Sequence, residues 1–237
     1  MTSFDAIRAR AAERKGGDAV LASLLPKVAS AKTLAALPDD RILSEMTHRV
    51  FCSGFAWSVI EQKWAGFEAA FLGFDPAALL RQPPEFWDAL TSDTRIVRNG
   101  QKIMSVARNA RFVADISAEH GGFGGFLASW PAADQTGLLA LFARRGARLG
   151  GHTGQYLLRF LGKDGFILSR DVVACLRDSG LDIADDPTSK RDLGRVQSLF
   201  NDWAGETKLP YTHISRICAM SVGENHQLER LHGYIRE

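Results

Sequence analysis

The sequence predicts an all-α protein, a compact bundle of about ten short helices. Apolar residues recur at helical spacing along much of the chain of 237 residues, as Ile42, Met46 and Val50 do. Prolines preceded by capping residues, such as Asp75-Pro76, divide these patterns into short segments. No credible run of alternating apolar and polar residues occurs, because FGFDP and GFILS are too short to build a sheet.

The first half of the chain contains one long and several short helical patterns. Helices are expected at residues 4–15, 39–63, 64–73, from Pro76 onward, around 85–90 and at 102–120. Asp75 is a good N-cap because Pro76 then takes the first helical position. Gly54 marks either a break within 39–63 or a close contact between helices. Asn99-Gly100 is a turn signal before the longest helix.

The second half begins with four glycines between Gly121 and Gly125, which predict a flexible loop. Helices are expected at 138–145, 155–161, 171–178, 190–207 and 211–222, and the charged tail 224–237 is either a last helix or a frayed end. We expect a single domain over residues 1–237. The glycine loop is where it would divide into two lobes, about 1–120 and 121–237, around a central cleft.

Composition excludes several classes of protein. The 29 Lys and Arg against 27 Asp and Glu give a net charge of 29 − 27 = +2, which neither requires nor excludes a nucleic-acid partner. Three distant cysteines without a CxxC pair exclude a disulfide framework and argue against a zinc ribbon. The charged start is not a secretory signal, and no stretch reaches the roughly 20 apolar residues of a membrane span. We therefore expect a cytoplasmic protein with no membrane partner.

The segment RLGGHTGQYLLRFLG, residues 148–162, carries the most functional information. A glycine turn joins two predicted helices there, and glycine lets a backbone approach a phosphate closely. The next helix then offers free N–H donors and a favourable dipole. Such a hairpin holds a DNA duplex by its backbone without reading sequence. The alternative is a plain tight turn between two helices.

This arrangement resembles the helix-hairpin-helix DNA glycosylase superfamily, and more specifically bacterial 3-methyladenine DNA glycosylase I. The stretches GFAWSVIEQKWAGFEAAFLGFDPAAL (54–79) and RIVRNGQKIMSVARNARFV (95–113) look like two segments of that family, and the hairpin has its spacing from the glycine to Tyr156 and Gly162. The resemblance spans about residues 40–180. It implies a helical glycosylase fold with a cleft, and double-stranded DNA containing damaged bases as the partner of a monomer.

The resemblance also implies site residues. The superfamily places a catalytic aspartate at the start of a helix some twenty residues after the hairpin, where Asp171 stands; the alternative is that Asp171 is only a helix N-cap. The base pocket would include Trp57, Phe51, Phe55 and Arg49. Trp57 is otherwise a core residue, and Phe51 and Phe55 are otherwise packing partners one turn apart. The DNA-binding residues would be Leu149, Gly150, Gly151, His152, Thr153 and Gln155.

The sequence departs from the family at two places. Arg49 stands where the family has a glutamate that contacts the flipped base; it pairs with Glu45, contacts DNA or contacts a base. The family's zinc ligands near the end read Asp171-x-x-x-Cys175 here and no N-terminal cysteine exists, so neither a structural zinc nor any cofactor is expected. Cys175 then fits a small buried apolar residue.

The predicted function is excision of a damaged base, of the alkylated 3-methyladenine kind, by hydrolysis of the N-glycosidic bond. His152 occupies the place where bifunctional members of the superfamily carry a Schiff-base lysine, which favours a monofunctional enzyme. Because Arg49 replaces the glutamate, a non-catalytic DNA-binding or damage-sensing module of the same fold is the alternative. A helical protein-interaction domain is a third interpretation.

Overall fold

A computed structural model describes residues 2–225, and no β-strand occurs among them. This part of the chain forms fourteen α-helices: α1 (Phe4–Lys15), α2 (Asp18–Ser23), α3 (Ala31–Ala35), α4 (Asp39–Cys52), α5 (Trp57–Ala70), α6 (Pro76–Leu80), α7 (Pro84–Leu90), α8 (Gly100–His120), α9 (Phe123–Ser129), α10 (Gln135–Arg145), α11 (Gly151–Phe160), α12 (Arg170–Asp178), α13 (Lys190–Thr207) and α14 (Tyr211–Ser221). The all-α prediction is confirmed. The number of helices exceeds the expected figure of about ten mainly because α2, α3 and α9 carry no strong pattern. Within residues 2–225, none of the helices combines the length and apolar character needed to cross a membrane.

Side-chain caps explain several helix starts. Asp75 accepts hydrogen bonds from the backbone N–H groups of Ala77 and Ala78, and Pro76 takes the first helical position, as predicted. Asn99, expected in a turn, accepts from the N–H of Lys102 and caps α8. The expected element at 224–237 lies outside the described residues, except for Glu224 and Asn225, which are not helical.

Of the two alternatives for Gly54, the break within 39–63 is confirmed, whereas the separate helix expected at 64–73 and the flexible loop expected at 121–125 are wrong, because α5 continues to Ala70 and α9 includes Gly124. The pattern at 39–63 divides into α4 and α5 with Gly54 between them, at a φ of +80° that favours glycine. The predicted flexible loop is largely helical, because α9 begins at Phe123 and includes Gly124. A Cβ on Gly124 would lie 2.5 Å from the carbonyl oxygen of Leu34, so the missing side chain lets α9 pack closely against α3.

Residues 2–28, 132–136 and 164–225 form one compact unit. Its core packs α1 against α14 and α14 against α12. The rings of Phe166 and Phe200 stack with centres 4.4 Å apart. This unit joins the start of the chain to its last described third, so its bounds differ from those of the two lobes expected from the glycine loop.

Residues 29–131 and 137–163 form the second unit. Here α4 packs against α8 and α11, and α6 packs against α8. The rings of Trp64, Phe67, Phe71 and Phe74 form a stacked series inside it. These contacts fix α4, α5 and α11 relative to one another within the unit.

Candidate functional site

An arginine lies at the centre of the candidate site in the second unit. Arg49 is in the last turn of α4, and only 1% of its side chain is exposed. Its Nε lies 2.6 Å from Oε1 of Glu45, one helical turn earlier. The pairing with Glu45, one of the three roles left open by the sequence, is therefore present. The guanidinium itself is buried.

Aromatic rings line the space around this guanidinium. Its central carbon lies 3.9 Å from the ring centre of Phe160 and 5.0 Å from that of Trp57. The Trp57 ring meets Tyr156 and Phe160 edge-on, with centres 5.7 and 5.8 Å apart. Trp57 begins α5, and the other two lie one turn apart on α11. We call Trp57, Tyr156 and Phe160 the aromatic box. Rings of this kind stabilise a desolvated cation by about 2 kcal/mol.

His48 links the arginine to a second carboxylate. Its Nδ1 contacts Nη2 of Arg49, and its Nε2 lies 3.2 Å from Oε1 of Glu61. A guanidinium can only donate, so a hydrogen bond between these two groups needs the His48 tautomer that carries its proton on Nε2. Trp64 meets the His48 ring edge-on at 4.4 Å. The imidazole is thereby held on both nitrogens.

The two phenylalanines predicted for the pocket have different surroundings. Phe51 is fully buried and packs edge-on against Phe67, with ring centres 4.7 Å apart, which fits the packing interpretation. Phe55 is 38% exposed in the segment between α4 and α5. Its ring lies 4.5 Å from Nζ of Lys102. Phe55 is therefore the exposed aromatic of the pair.

Lys102 closes the end of α4. It is 6% exposed, and its Nζ donates to the carbonyl oxygens of Phe51 and Ser53. These are among the carbonyls that a helix leaves without partners at its C-terminus. Burial lowers the pKa of the Lys102 ammonium below its ordinary value, and the positive charge of Arg148 lowers it further.

The glycine hairpin has the expected form. The side chain of Asn109 on α8 accepts from the N–H of Ala147 at 2.7 Å and donates to its carbonyl at 3.1 Å, which anchors the turn. Gly151 begins α11 with a φ of +56°, and the N-cap position, Gly150, has no side chain to occupy the first N–H groups. A Cβ on Gly154 would lie 2.4 Å from the carbonyl oxygen of Leu149. The turn is tight because these positions lack side chains.

The predicted DNA-binding residues differ in exposure. Gly151 and His152 are exposed, and Thr153 is half-buried. Leu149 is fully buried and Gln155 is only 5% exposed, so their side chains do not face solvent. A phosphate at this helix start would meet backbone N–H groups and the side chains at 152 and 153.

Asp171 belongs to the first unit and is not the helix cap. Ser169 is the N-cap of α12, since its Oγ accepts from the N–H of Val172 at 3.3 Å. Asp171 is the second helical residue and is half-buried. Within residues 2–225 its carboxylate has no hydrogen bond or ion pair. The interpretation as an N-cap is therefore wrong.

The backbone after α14 passes close to this carboxylate. A Cβ on Gly223 would lie 2.5 Å from Oδ1 of Asp171, and Gly223 has a φ of +69°. Arg14 holds the segment by donating to the carbonyl oxygens of Met220, Val222 and Gly223. The missing side chain at 223 leaves the space that the carboxylate uses.

All three cysteines, Cys52, Cys175 and Cys218, are buried. Cys175 is fully buried, and its Sγ lies 3.3 Å from Oγ of Ser221. Over the described part of the chain, no three His, Cys, Asp or Glu residues are grouped so as to hold a metal ion.

The methyladenine glycosylase family model matches residues 35–143. The matched segment, a little under half of the 237 residues, includes α4, α5 and α8 with Arg49 and Trp57. The chain resembles the methyladenine glycosylases. The resemblance expected from the motifs at 54–79 and 95–113 is thus confirmed, whereas the hairpin and Asp171 lie beyond the match.

Solved glycosylase structures are similar to parts or most of the chain. A Staphylococcus aureus 3-methyladenine DNA glycosylase I, described for its recognition of 3-methyladenine, is 22% identical, covers 53% of this chain and 77% of its own, and has a TM-score of 0.47. Methanocaldococcus jannaschii 8-oxoguanine DNA glycosylase is 12% identical, covers 90% of this chain and 89% of its own, and has a TM-score of 0.48. No curated protein matches the sequence.

Sequence reasoning missed several residues of the site. Phe160 lies one turn after Tyr156 on the same helix, and this spacing was a usable signal. Lys102 and Asn109 lie within the motif at 95–113, but nothing local shows that their side chains bind distant backbone groups. His48 precedes Arg49, and its other partners, Glu61 and Trp64, come from another helix.

Proposed function

We propose that the protein is a DNA N-glycosylase that removes a damaged base, of the alkylated 3-methyladenine kind, from double-stranded DNA. The match of residues 35–143 to the methyladenine glycosylase family carries the proposal. The hairpin and Asp171 support it, because they add an anion-binding helix start and a carboxylate without a partner among residues 2–225. A glycosylase needs both kinds of group.

Binding of DNA is assigned to the hairpin. The uncapped, exposed start of α11 offers N–H donors and a positive helix end to a backbone phosphate. His152 and Thr153 add side chains at the same place. These contacts are independent of sequence, which suits an enzyme that must examine every base.

Binding of the base is assigned to the aromatic residues around Trp57. A glycosylase takes the target nucleotide out of the stack and buries its base in a pocket. An alkylated base is poor in electrons and is attracted by aromatic faces. The box of Trp57, Tyr156 and Phe160 has this chemistry.

Hydrolysis is assigned to Asp171. Breaking the N-glycosidic bond develops positive charge on the sugar, and a nearby carboxylate stabilises that charge. The same carboxylate orients and deprotonates the water that attacks C1′, while the bonding electrons leave with the base. A lyase would need a free amine, but the lysine on the loop that follows the hairpin helix, Lys163, is 7% exposed and its Nζ donates to the carbonyl of Trp130. We therefore propose a monofunctional reaction.

The test is base release from methylated duplex DNA by the wild type, Asp171→Asn and Asp178→Asn. Asp178 is exposed at the far end of the same helix and serves as the matched control. We expect release by the wild type and the control, a loss of about 10²-fold or more in Asp171→Asn, and strand breaks only after alkali. Full activity of Asp171→Asn would remove Asp171 from the mechanism.

Arg49 supports one alternative function. A guanidinium fills the space beside Trp57 where the proposal requires a base. A damage-sensing module without catalysis would bind alkylated or abasic duplex tightly and release no base even at high protein excess. The same experiment separates the two functions when DNA binding is measured beside base release.

A further inference from the structure

The aromatic box already holds a planar cation, which the protein itself supplies. The guanidinium of Arg49 is flat and its charge is delocalised, and its carbon lies 3.9 Å from the centre of the Phe160 ring. An N-alkylated purine in DNA is also a flat ring system with delocalised positive charge. The two groups therefore have the same reason to bind against Trp57 and Phe160.

The bonds that hold Arg49 in the box are incomplete. Its Nε forms an ion pair with Glu45 and its Nη2 contacts His48, but neither Nε nor the buried Nη1 makes a hydrogen bond among the described residues. A buried donor without an acceptor is unfavourable. The Glu45 side chain is 22% exposed, so a partner for the guanidinium extends toward solvent.

We propose that the side chain of Arg49 is a displaceable occupant of the aromatic box and that a planar cationic base competes with it for the rings. The inference rests on the proposed function in one respect, which is that the box receives the base. It makes Arg49 a specificity-determining residue. A neutral, undamaged base gains too little from the rings to displace a guanidinium, whereas a cationic alkylated base replaces one cation by another.

The test uses the full chain and a pair of small probes that differ in charge. N-methylquinolinium is a permanently charged bicyclic ring, and quinoline is its neutral analogue. Arg49→Ala empties the box and leaves the carboxylate of Glu45 beside it. We expect this variant to bind N-methylquinolinium at least tenfold more tightly than the wild type does, as measured by isothermal titration. Quinoline should gain less.

Two control variants distinguish displacement of the Arg49 side chain from the aromatic box from a general effect of removing an arginine. Arg49→Met refills the box without charge and should show no gain. Arg111→Ala removes an exposed arginine that is likewise paired with a carboxylate four residues along its helix, Asp115, and should bind as the wild type does. If Arg49→Ala binds the cation no better than the wild type, or more weakly, the inference is overturned.

Folding and function are measured in parallel. If thermal unfolding shows that Arg49→Ala is not folded, Arg49→Gln replaces it, with a gain of about threefold as support and no gain as refutation. Base release from methylated duplex separates this inference from the proposed function. Release by the wild type without a gain in probe binding refutes only the occupant role; a gain without any base release supports that role and refutes the glycosylase.

Discussion

Replacing Lys102 by methionine removes the donor that closes α4 while keeping a side chain of similar length. The ammonium donates to the carbonyl oxygen of Phe51 at 3.2 Å and to that of Ser53. Phe51 is fully buried, so water cannot take over its bond, whereas Ser53 is exposed. In the variant, the carbonyl of Phe51 is therefore left without a hydrogen bond, whereas water can bind that of Ser53.

The size of the effect follows from this difference. An unsatisfied buried carbonyl costs about 1–3 kcal/mol, and a bond that water replaces contributes about 0.5–1.5 kcal/mol. The variant also avoids burying a charge, which offsets part of the loss. We expect Lys102→Met to lower the free energy of unfolding by roughly 2 kcal/mol.

Urea unfolding at pH 7, followed by tryptophan fluorescence, measures this change. Lys63→Met is the control, because Lys63 donates to the carbonyl of Thr94 at 2.8 Å in an exposed place. It should change stability by less than about 0.5 kcal/mol. If Lys102→Met is as stable as this control, the ammonium does not secure the end of α4.

The difference in stability between the wild type and Lys102→Met is also expected to depend on pH. Burial lowers the pKa of Lys102 in the folded protein below the ordinary value of 10.5. Between the lowered pKa of the folded protein and the ordinary pKa of the unfolded chain, the unfolded chain binds more protons than the folded one. The free energy of unfolding therefore rises with pH in this range. The stability difference between the wild type and Lys102→Met should therefore grow as pH approaches 10.5. A constant difference would contradict the shift.

Two further predictions concern groups away from Lys102. Gly223→Ala places a Cβ 2.5 Å from Oδ1 of Asp171 at a left-handed φ, so it should cost about 1–2 kcal/mol in urea unfolding and slow base release about tenfold. A normal rate would mean that the position of the carboxylate does not matter. Burial raises the pKa of Cys52 to about 11, so iodoacetamide at pH 8 should alkylate this thiol only after unfolding. Peptide mass spectrometry of the native protein checks this, and rapid native labelling would contradict it.

The helices that the sequence predicts best are those with chemical signals at their ends. The bounds of α1 and α13 agree with the prediction, and Asp75-Pro76 starts α6 as expected. The short helix α9 was missed because its stability comes from packing, where Gly124 meets the backbone of Leu34. Helical patterns report local preference, and such contacts are not local.

In the candidate site, too, the sequence predicted local contacts but not contacts between helices. Spacing alone offered Glu45 as a partner for Arg49, since the two are one turn apart on a helix. It did not show that the guanidinium would lie against Phe160, which comes from another helix. It also left open whether Asp171 caps its helix, because serine and aspartate are both good caps and only geometry distinguishes them.

The carboxylate of Glu45, one turn before Arg49 on α4, bears on the replacement of the family's glutamate by arginine. The resembling family places a glutamate where this chain has Arg49, and this chain has Glu45 one turn earlier. Residues four apart lie on the same face of a helix, so a carboxylate is still available on that face. While Arg49 lies in the box, its charge is paired with this carboxylate. When the guanidinium is displaced as proposed, the carboxylate that it paired with is left on the same face of α4. The proposed site therefore keeps a carboxylate, that of Glu45, on this face of α4 although arginine stands in place of the glutamate.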